Sequence, residues 1–475
     1  MAEVLDIYQE QEKAEETFRD HLSTVDEKGK RIWLYPKKPS GKLTNYRMIV
    51  SYALIAFLLG APFVKIGGQP LLLFNIFERK FIILGQVFWP QDFFLFVIGF
   101  ITTLVFIILF TVVFGRIFCG WICPQTIFME GVFRQIEYWI EGDYMAQKKL
   151  DKLPWNAEKI RKKGIKHFIF ILISALIMHT FMAYLLGVDG LWELIQAGPA
   201  ENTGGFIAML VFTGLFYGVF SKMREQVCTT ICPYGRLQGV LLDRQSVVVA
   251  YDHERGENRA KFRKNEDRAD KGFGDCIDCK QCVYVCPTGI DIRNGTQLEC
   301  VNCTACIDAC DSIMDRIGKP RGLVRYASEQ NIADKKPFQF TTRMKAYTTV
   351  LSLLLGVLVT LLLVRTDFET TIVRTPGMLF QKRDNGHITN LYQLSMVNKT
   401  NNPVDVRLEL LEPEGTLEMV GSAVNLESQG KGEGAFFVII PPENLTRMSQ
   451  KIKIGVFSGE DRIETIKTNF LGPAK

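Results

Sequence analysis

Histidine is scarce in this 475-residue chain, with five in all: His21, His167, His179, His253 and His387. Only His179 lies well inside an apolar run, so a membrane haem held by two facing histidines finds no second ligand at that depth. No G-x-G-x-x-G follows a strand pattern and no P-loop is present, which leaves flavin and nicotinamide without a cradle. Cysteine is missing altogether from residues 366–475, so disulfides do not hold that segment together. Long runs of one charge sign are also lacking. The charge-dense stretch 252–272 mixes both signs and reads as a solvated linker, which excludes nucleic acid as a partner. The first fifty residues are too charged for a cleavable signal peptide.

What is there is cysteine, twelve of them, eight in two near-identical runs. Cys276, Cys279, Cys282 and Cys286 are spaced C-x2-C-x2-C-x3-C and followed by Pro287; Cys300, Cys303, Cys306 and Cys310 repeat the spacing. This is the two-cluster ferredoxin pattern, in which each [4Fe–4S] cluster takes three thiolates from one run and the fourth from the other. Cluster I would use Cys276, Cys279, Cys282 and Cys310. Cluster II would use Cys300, Cys303, Cys306 and Cys286. Zinc is the alternative, but it wants two C-x2-C pairs rather than three-ligand loops with a distant fourth member. Asp311 stands where the pattern has proline, which is expected to alter local geometry and not ligation.

The composition, 47% hydrophobic with a formal charge of +5, hides a segregated chain. Five apolar stretches, near 48–64, 92–114, 166–187, 204–220 and 346–364, suit a hydrocarbon core that takes about 17–25 helical residues. A sixth region, Leu71 to Trp89, is broken by Glu78-Arg79-Lys80 and reads as an interfacial hairpin or re-entrant piece. Lys28, Lys30, Arg31, Lys37, Lys38, Lys42 and Arg47 precede or open the first span, and Arg134, Lys148, Lys149 and their neighbours crowd the loop after the second. Residues 188–203 hold neither Lys nor Arg. The positive-inside rule therefore puts the N-terminus inside and the C-terminus outside. The expected order is a basic cytoplasmic N-terminus (1–47), a four-helix membrane domain (48–251), a cytoplasmic ferredoxin domain (252–345), a fifth span (346–365) and an outer domain (366–475). All twelve cysteines then lie on or near the inner side, where thiols stay reduced.

Four cysteines remain. Cys119-Gly-Trp-Ile-Cys123-Pro124 follows the second span and Cys228-Thr-Thr-Ile-Cys232-Pro233 follows the fourth, 109 residues later. The two hairpins read as an internal repeat. If the cysteines continue a helix, i and i+4 share one face. Proline suits the first position of a following helix, which makes Cys123 and Cys232 N-caps whose thiols the helix dipole favours as thiolates. The four thiolates could form one four-sulfur site or two dithiols, for Cu(I), zinc or another cluster; packing cysteines are the bland reading. After Pro124, Phe128, Val132, Ile136 and Ile140 recur at helical spacing with Glu130, Arg134, Glu137 and Glu141 on other faces, an amphipathic helix on the inner surface. His179 with Met178 and Met182 could touch copper, but a polar residue facing the bundle interior is the simpler reading.

Beyond Val364, alternating segments near 389–398, 404–412, 416–426, 433–440, 450–457 and 462–470 are separated by turn residues. They fit an all-β immunoglobulin-like sandwich without its disulfide. No catalytic constellation is visible in it, His387 included, so partner docking is its expected role.

The whole order resembles the cytochrome c oxidase accessory proteins of the CcoG/FixG/RdxA family along nearly the full chain. Trp89-Pro90-Gln91-Asp92, Cys119-Gly-Trp-Ile-Cys-Pro and Cys228-Thr-Thr-Ile-Cys-Pro-Tyr-Gly match that family's signatures. The resemblance implies a multi-pass protein of the bacterial inner membrane that serves assembly of a cbb-type haem–copper oxidase. It implies a cupric reductase activity, Cu(II) to Cu(I), with oxidase subunits or assembly factors as partners and an unidentified cytoplasmic electron donor. Cys119, Cys123, Cys228 and Cys232 become the copper-handling or membrane-redox thiolates, and Cys276 to Cys310 the electron-relaying ligands. One rival is a quinol-oxidising subunit similar to the NapH and NosR group. Another is a copper chaperone or assembly scaffold whose clusters are structural.

Overall fold

A computed structural model describes residues 24–473 except 27, 78–79, 90–91, 264–267, 269, 336–338, 367, 378, 401, 422–424 and 429. His21, Glu78, Arg79, Pro90 and Gln91 lie outside the described residues. The chain divides into two compact units: the described parts of Met1–Val64, Leu72–Ile76 and Phe96–Gly356, and those of Lys65–Leu71, Phe77–Leu95 and Val357–Lys475.

Among the described residues five helices are long and apolar enough to cross a membrane: Lys42–Gly60, Phe93–Phe114, Ala157–Glu201, Thr203–Met223 and Thr342–Leu363. In lipid every backbone group must be satisfied within the helix, and hydroxyls must follow. Thr102, Thr103 and Thr111 comply by donating to the carbonyls four residues back. The third helix is longer than the apolar run behind it. It breaks at Gly187 (φ 79°) and again at Gly198 (φ 75°), so part of the expected 188–203 loop is helical.

In the same unit, Val248–Tyr251 pairs antiparallel with Val324–Ala327, framing the short helices Gln281–Tyr284 and Ala305–Arg316. The expected solvated linker is partly folded onto this frame. Arg268 is buried there because it donates to the carbonyls of Ala260, Gly274 and Cys276. Asp311, in the proline's place, accepts from the Gly322 backbone N–H at 2.9 Å.

In the second unit, the region read as a hairpin or re-entrant piece contains a small antiparallel pair, Lys80–Ile83 with Gln86–Phe88. The C-terminal part is a sandwich. One sheet runs Thr416–Val420, Lys431–Ile440, Ile388–Asn398, Phe368–Arg374; the other runs Asn425–Leu426, Val404–Glu412, Ser449–Ser458, Asp461–Leu471. Phe368–Arg374 was not among the expected strands, and the expected 416–426 strand is two. Gly421, at φ 92°, follows the first piece, and the second belongs to the opposite sheet. The filling is apolar: Tyr392 stacks on Phe436 at 5.5 Å, beside Met396, Val438, Ile454 and Phe470. Asp92, 3% exposed, accepts from Lys399 Nζ and Arg365 Nη2, both at 2.7 Å, which ties the residue before the second span to two points of the C-terminal segment.

Candidate functional site

The two cysteine runs fold as twin loops. Asp278 and Lys280 flank Cys279 with φ of 48° and 56°; Asn302 and Thr304 flank Cys303 with 53° and 66°. Non-glycine residues rarely adopt this backbone, and alternating it with right-handed residues turns successive N–H groups into a concavity that suits anions, iron–sulfur sites included. Cys276, Cys279, Cys282 and Cys310 line one cavity, and Cys286, Cys300, Cys303 and Cys306 line a second, with Cys282 touching both. Among the described residues no three His, Cys, Asp or Glu side chains converge as a single ion requires. The donor set of four sulfurs spread around each cavity fits a multi-iron body better than zinc. Burial pushes the thiols of Cys282, Cys300 and Cys310 up to about 12 and holds that of Cys306 well above the ordinary thiol range, so only a strongly bound cation makes thiolates there. Cys279 alone of the eight is exposed.

The C-x3-C-P segments are built against the second loop. Cys119 shares an apolar cluster with Val301, Cys303 and Ala305, and Cys228 and Cys306 pack on it. A Cβ at Gly120 would lie 2.4 Å from the Val301 carbonyl oxygen, so this contact demands glycine. Trp121 Nε1 donates to Tyr326 Oη at 3.2 Å, and Tyr326 Oη donates to the Asn302 carbonyl at 3.3 Å. The first span is docked at the same place: Asp308 accepts from the Leu43 and Thr44 backbone N–H groups, and buried Arg47 donates to the Cys303 carbonyl at 2.9 Å.

Neither cysteine pair continues a regular helix. Cys123 and Cys232 are extended N-caps before Pro124 and Pro233, as the prolines require, while Cys119 sits in the short helix Ile117–Trp121 and Cys228 in the π turn Val227–Ile231. Burial raises the Cys119 and Cys123 thiols, outweighing the Gln125 and Thr126 N–H groups that favour a Cys123 thiolate. It pushes Cys228 up to about 12, with Cys123 and Cys119 adding to the effect. The expected dipole-lowered thiol is therefore corrected at Cys123: desolvation wins over the helix end.

The amphipathic reading of 124–141 is also corrected. The segment runs helix, π turn Met129–Phe133, helix Arg134–Ile140, and it turns its charges inward. Arg134, Glu137 and Glu141 are buried along with Phe128, while Val132 and Ile136 pack half-exposed against the Phe128 and Phe133 cluster, so the charges do not form a separate solvent face. Arg224 forks onto Glu137 at 2.9–3.0 Å, Lys166 meets Glu141 at 2.8 Å and Arg31 meets Glu225 at 2.8 Å. Glu130, Arg224 and Glu225 reach a cavity that also holds Cys228, Met129 and Val301. His179 is satisfied by the Ala175 carbonyl of its own helix at 2.7 Å.

Sequence reasoning missed Arg116, Gln238, Arg47 and Asp308. No spacing rule marks them, because their partners lie between 119 and 265 residues away in the chain for all but one of the contacts that matter.

Comparison with known proteins gives three family models. A 4Fe-4S dicluster domain matches residues 223–329, a 4Fe-4S binding domain matches 95–149, and an IG-like fold at the C-terminal of FixG matches 358–473. The second takes in Cys119 and Cys123. RdxA of Cereibacter sphaeroides is 34% identical over 84% of this chain and 86% of its own length; RdxB of the same organism is 30% identical over 93% and 92%. The nitrogen fixation protein FixG of Rhizobium meliloti is 36% identical over 64% of this chain, a match spanning 59% of that protein. A crystal structure of a FixG-related protein from Vibrio parahaemolyticus aligns with 22% of this chain and 97% of its own at 18% identity and a TM-score of 0.19.

Proposed function

The chain belongs to the FixG/RdxA family of multi-pass membrane iron–sulfur electron-transfer proteins, and from that premise we propose that it reduces Cu(II) to Cu(I) for insertion into a cbb-type haem–copper oxidase. In this reading Cys276, Cys279, Cys282 and Cys310 hold one [4Fe–4S] cluster, and Cys286, Cys300, Cys303 and Cys306 hold the other. When bound, the clusters supply one-electron storage. Cys279 is exposed, and in this reading a soluble cytoplasmic donor docks beside it, with the N-terminus inside and the C-terminal sandwich outside. Cys119, Cys123, Cys228 and Cys232 take copper as substrate. They lose thiol protons on binding it, and each ion gains one electron and leaves as Cu(I), the form soft sulfur prefers. The sandwich would meet oxidase subunits or assembly factors.

One observation supports the reading most: Cys119 and Cys228 pack on the loop that carries Cys303, with Gly120 pressed onto Val301, so copper-binding sulfur and cluster ligands share a wall. The test is anaerobic Cu(II) reduction by chemically reduced protein loaded to about eight irons per chain. Cys119→Ala/Cys123→Ala is expected to lose most of the rate with iron retained, and Cys279→Ala to lose rate and iron together. Equal rates in all three proteins would abandon the proposal. Quinol oxidation indifferent to copper would favour the NapH-like alternative.

A further inference from the structure

Arg116 ends the second span's approach to the cysteines, is 3% exposed, and is absorbed by none of the roles above. Its guanidinium has three partners, all uncharged as groups in the folded chain. Nε donates to Gln238 Oε1 at 3.0 Å, Nη1 to the Leu298 carbonyl two residues before Cys300, and Nη2 faces Cys119 Sγ at 3.9 Å. Gln238 Oε1 also accepts from Cys119 Sγ at 3.1 Å, so one amide orients both groups. A second wall is shaped for the same cation. A Cβ on Gly235, the last residue of Cys232-Pro-Tyr-Gly, would stand 2.9 Å from Nη2 and 2.7 Å from the Cys228 carbonyl.

A guanidinium cannot shed its proton, and burying one without a carboxylate is costly. Its three acceptors offset part of that cost, and negative charge delivered to this spot would offset the rest. The groups within reach are the sulfurs of the C-x3-C-P pairs and the second cysteine loop, which become anionic when they ligate. We propose that Arg116 is a positioning residue for electron transfer: one fixed charge wedged between the C-x3-C-P thiols and the Cys286/Cys300/Cys303/Cys306 site, making that site easier to reduce than the Cys276/Cys279/Cys282/Cys310 site. Electrons are thereby drawn from the exposed end of the module toward the membrane thiols. The other cavity has a guanidinium of its own, Arg293, but Asp278 and Asp291 pair with it at 2.6 Å, whereas Gln238, Leu298 and Cys119, the partners of Arg116, offer no carboxylate.

The inference rests on the ligand assignment proposed above and is independent of copper. It is tested by anaerobic potentiometric titration of the full-length protein in detergent, following the paramagnetic signals of both clusters, with Cys279→Ser used to identify the signal of the remote one. In Arg116→Gln the reduced-to-oxidised ratio at the Cys286/Cys300/Cys303/Cys306 site should fall about tenfold at fixed potential, 59 mV for a one-electron couple. The other site should stay within twofold, and Arg116→Lys should restore most of the difference. Two unmoved midpoints at full iron content, or an equal shift in both, would overturn the proposal. Should Arg116→Gln lose iron, Arg116→Lys decides: full iron with a wild-type ratio supports a need for charge, and a tenfold fall overturns it. Absence of a second cluster signal in the unaltered protein would overturn the ligand assignment and this inference with it, whatever the copper assay shows.

Discussion

At the scale of single residues, chemistry here is set by burial more than by sequence neighbours. The gathering of eight cysteines around two cavities was legible because C-x2-C-x2-C-x3-C is a local pattern, and the loops around Cys279 and Cys303 share one left-handed backbone pattern. The ionisation of the Cys-x3-Cys-Pro thiols was not legible, because proline marks Cys123 as a helix-end thiolate, whereas burial outweighs the helix end there and pushes Cys228 up to about 12. A thiol whose pKa is raised stays neutral until the pH approaches the higher value. Alkylation of Cys228 by iodoacetamide in copper-free protein at pH 8 should therefore run roughly a thousandfold slower than for free cysteine, and climb about tenfold per pH unit through pH 9. A plateau near pH 8.5, followed by peptide mass spectrometry, would count against the buried environment.

At the scale of elements, five apolar runs were enough to find five membrane helices, and turn residues were enough to find most of the sandwich. What escaped were features decided by distant partners. Residues 124–141 carry a correct 3.6-residue period, but period alone does not say which face meets water. Arg134 and Glu137 are buried with Glu130 and Arg224 as partners, while Ile136 packs partly exposed against the Phe128 and Phe133 cluster. The start of Lys42–Gly60 is likewise completed from elsewhere: no residue of its own caps it, and Asp308 supplies the acceptor for Leu43, Thr44 and the Thr44 hydroxyl. Asp308→Ala should cost about 1–2 kcal/mol, the usual worth of a cap. It should appear as a lower thermal midpoint in detergent, with Asp308→Asn losing less. An unchanged midpoint would mean that water replaces the carboxylate without loss.

At the scale of the whole molecule, the order of parts was legible from composition and cysteine spacing, whereas the use of Trp89-Pro90-Gln91-Asp92 was not. Asp92 is the hub of a buried cluster with Arg365 and Lys399, and Lys399 also meets Glu369 at 2.9 Å. Burial pushes the Asp92 carboxyl up, but hydrogen bonds from Lys399 and Arg365 outweigh it and hold the group below the ordinary carboxylate range. Its contribution is thus present above the unfolded pKa and lost only as pH falls through the lowered folded value. Asp92→Ala leaves Arg365 and buried Lys399 without the carboxylate they share, with Lys399 retaining Glu369, and should destabilise the C-terminal unit by about 3 kcal/mol, read as earlier urea unfolding or faster proteolysis of the sandwich. Resistance equal to wild type would remove Asp92 from that role. The capping of Thr44 by Asp308 reaches into biosynthesis, since 264 residues separate them. At ~5–20 residues per second a ribosome takes on the order of tens of seconds to cover that distance. The segment that enters the bilayer earliest is therefore finished among the latest, and the nascent chain holds its first helix end open until the second cysteine loop has been made.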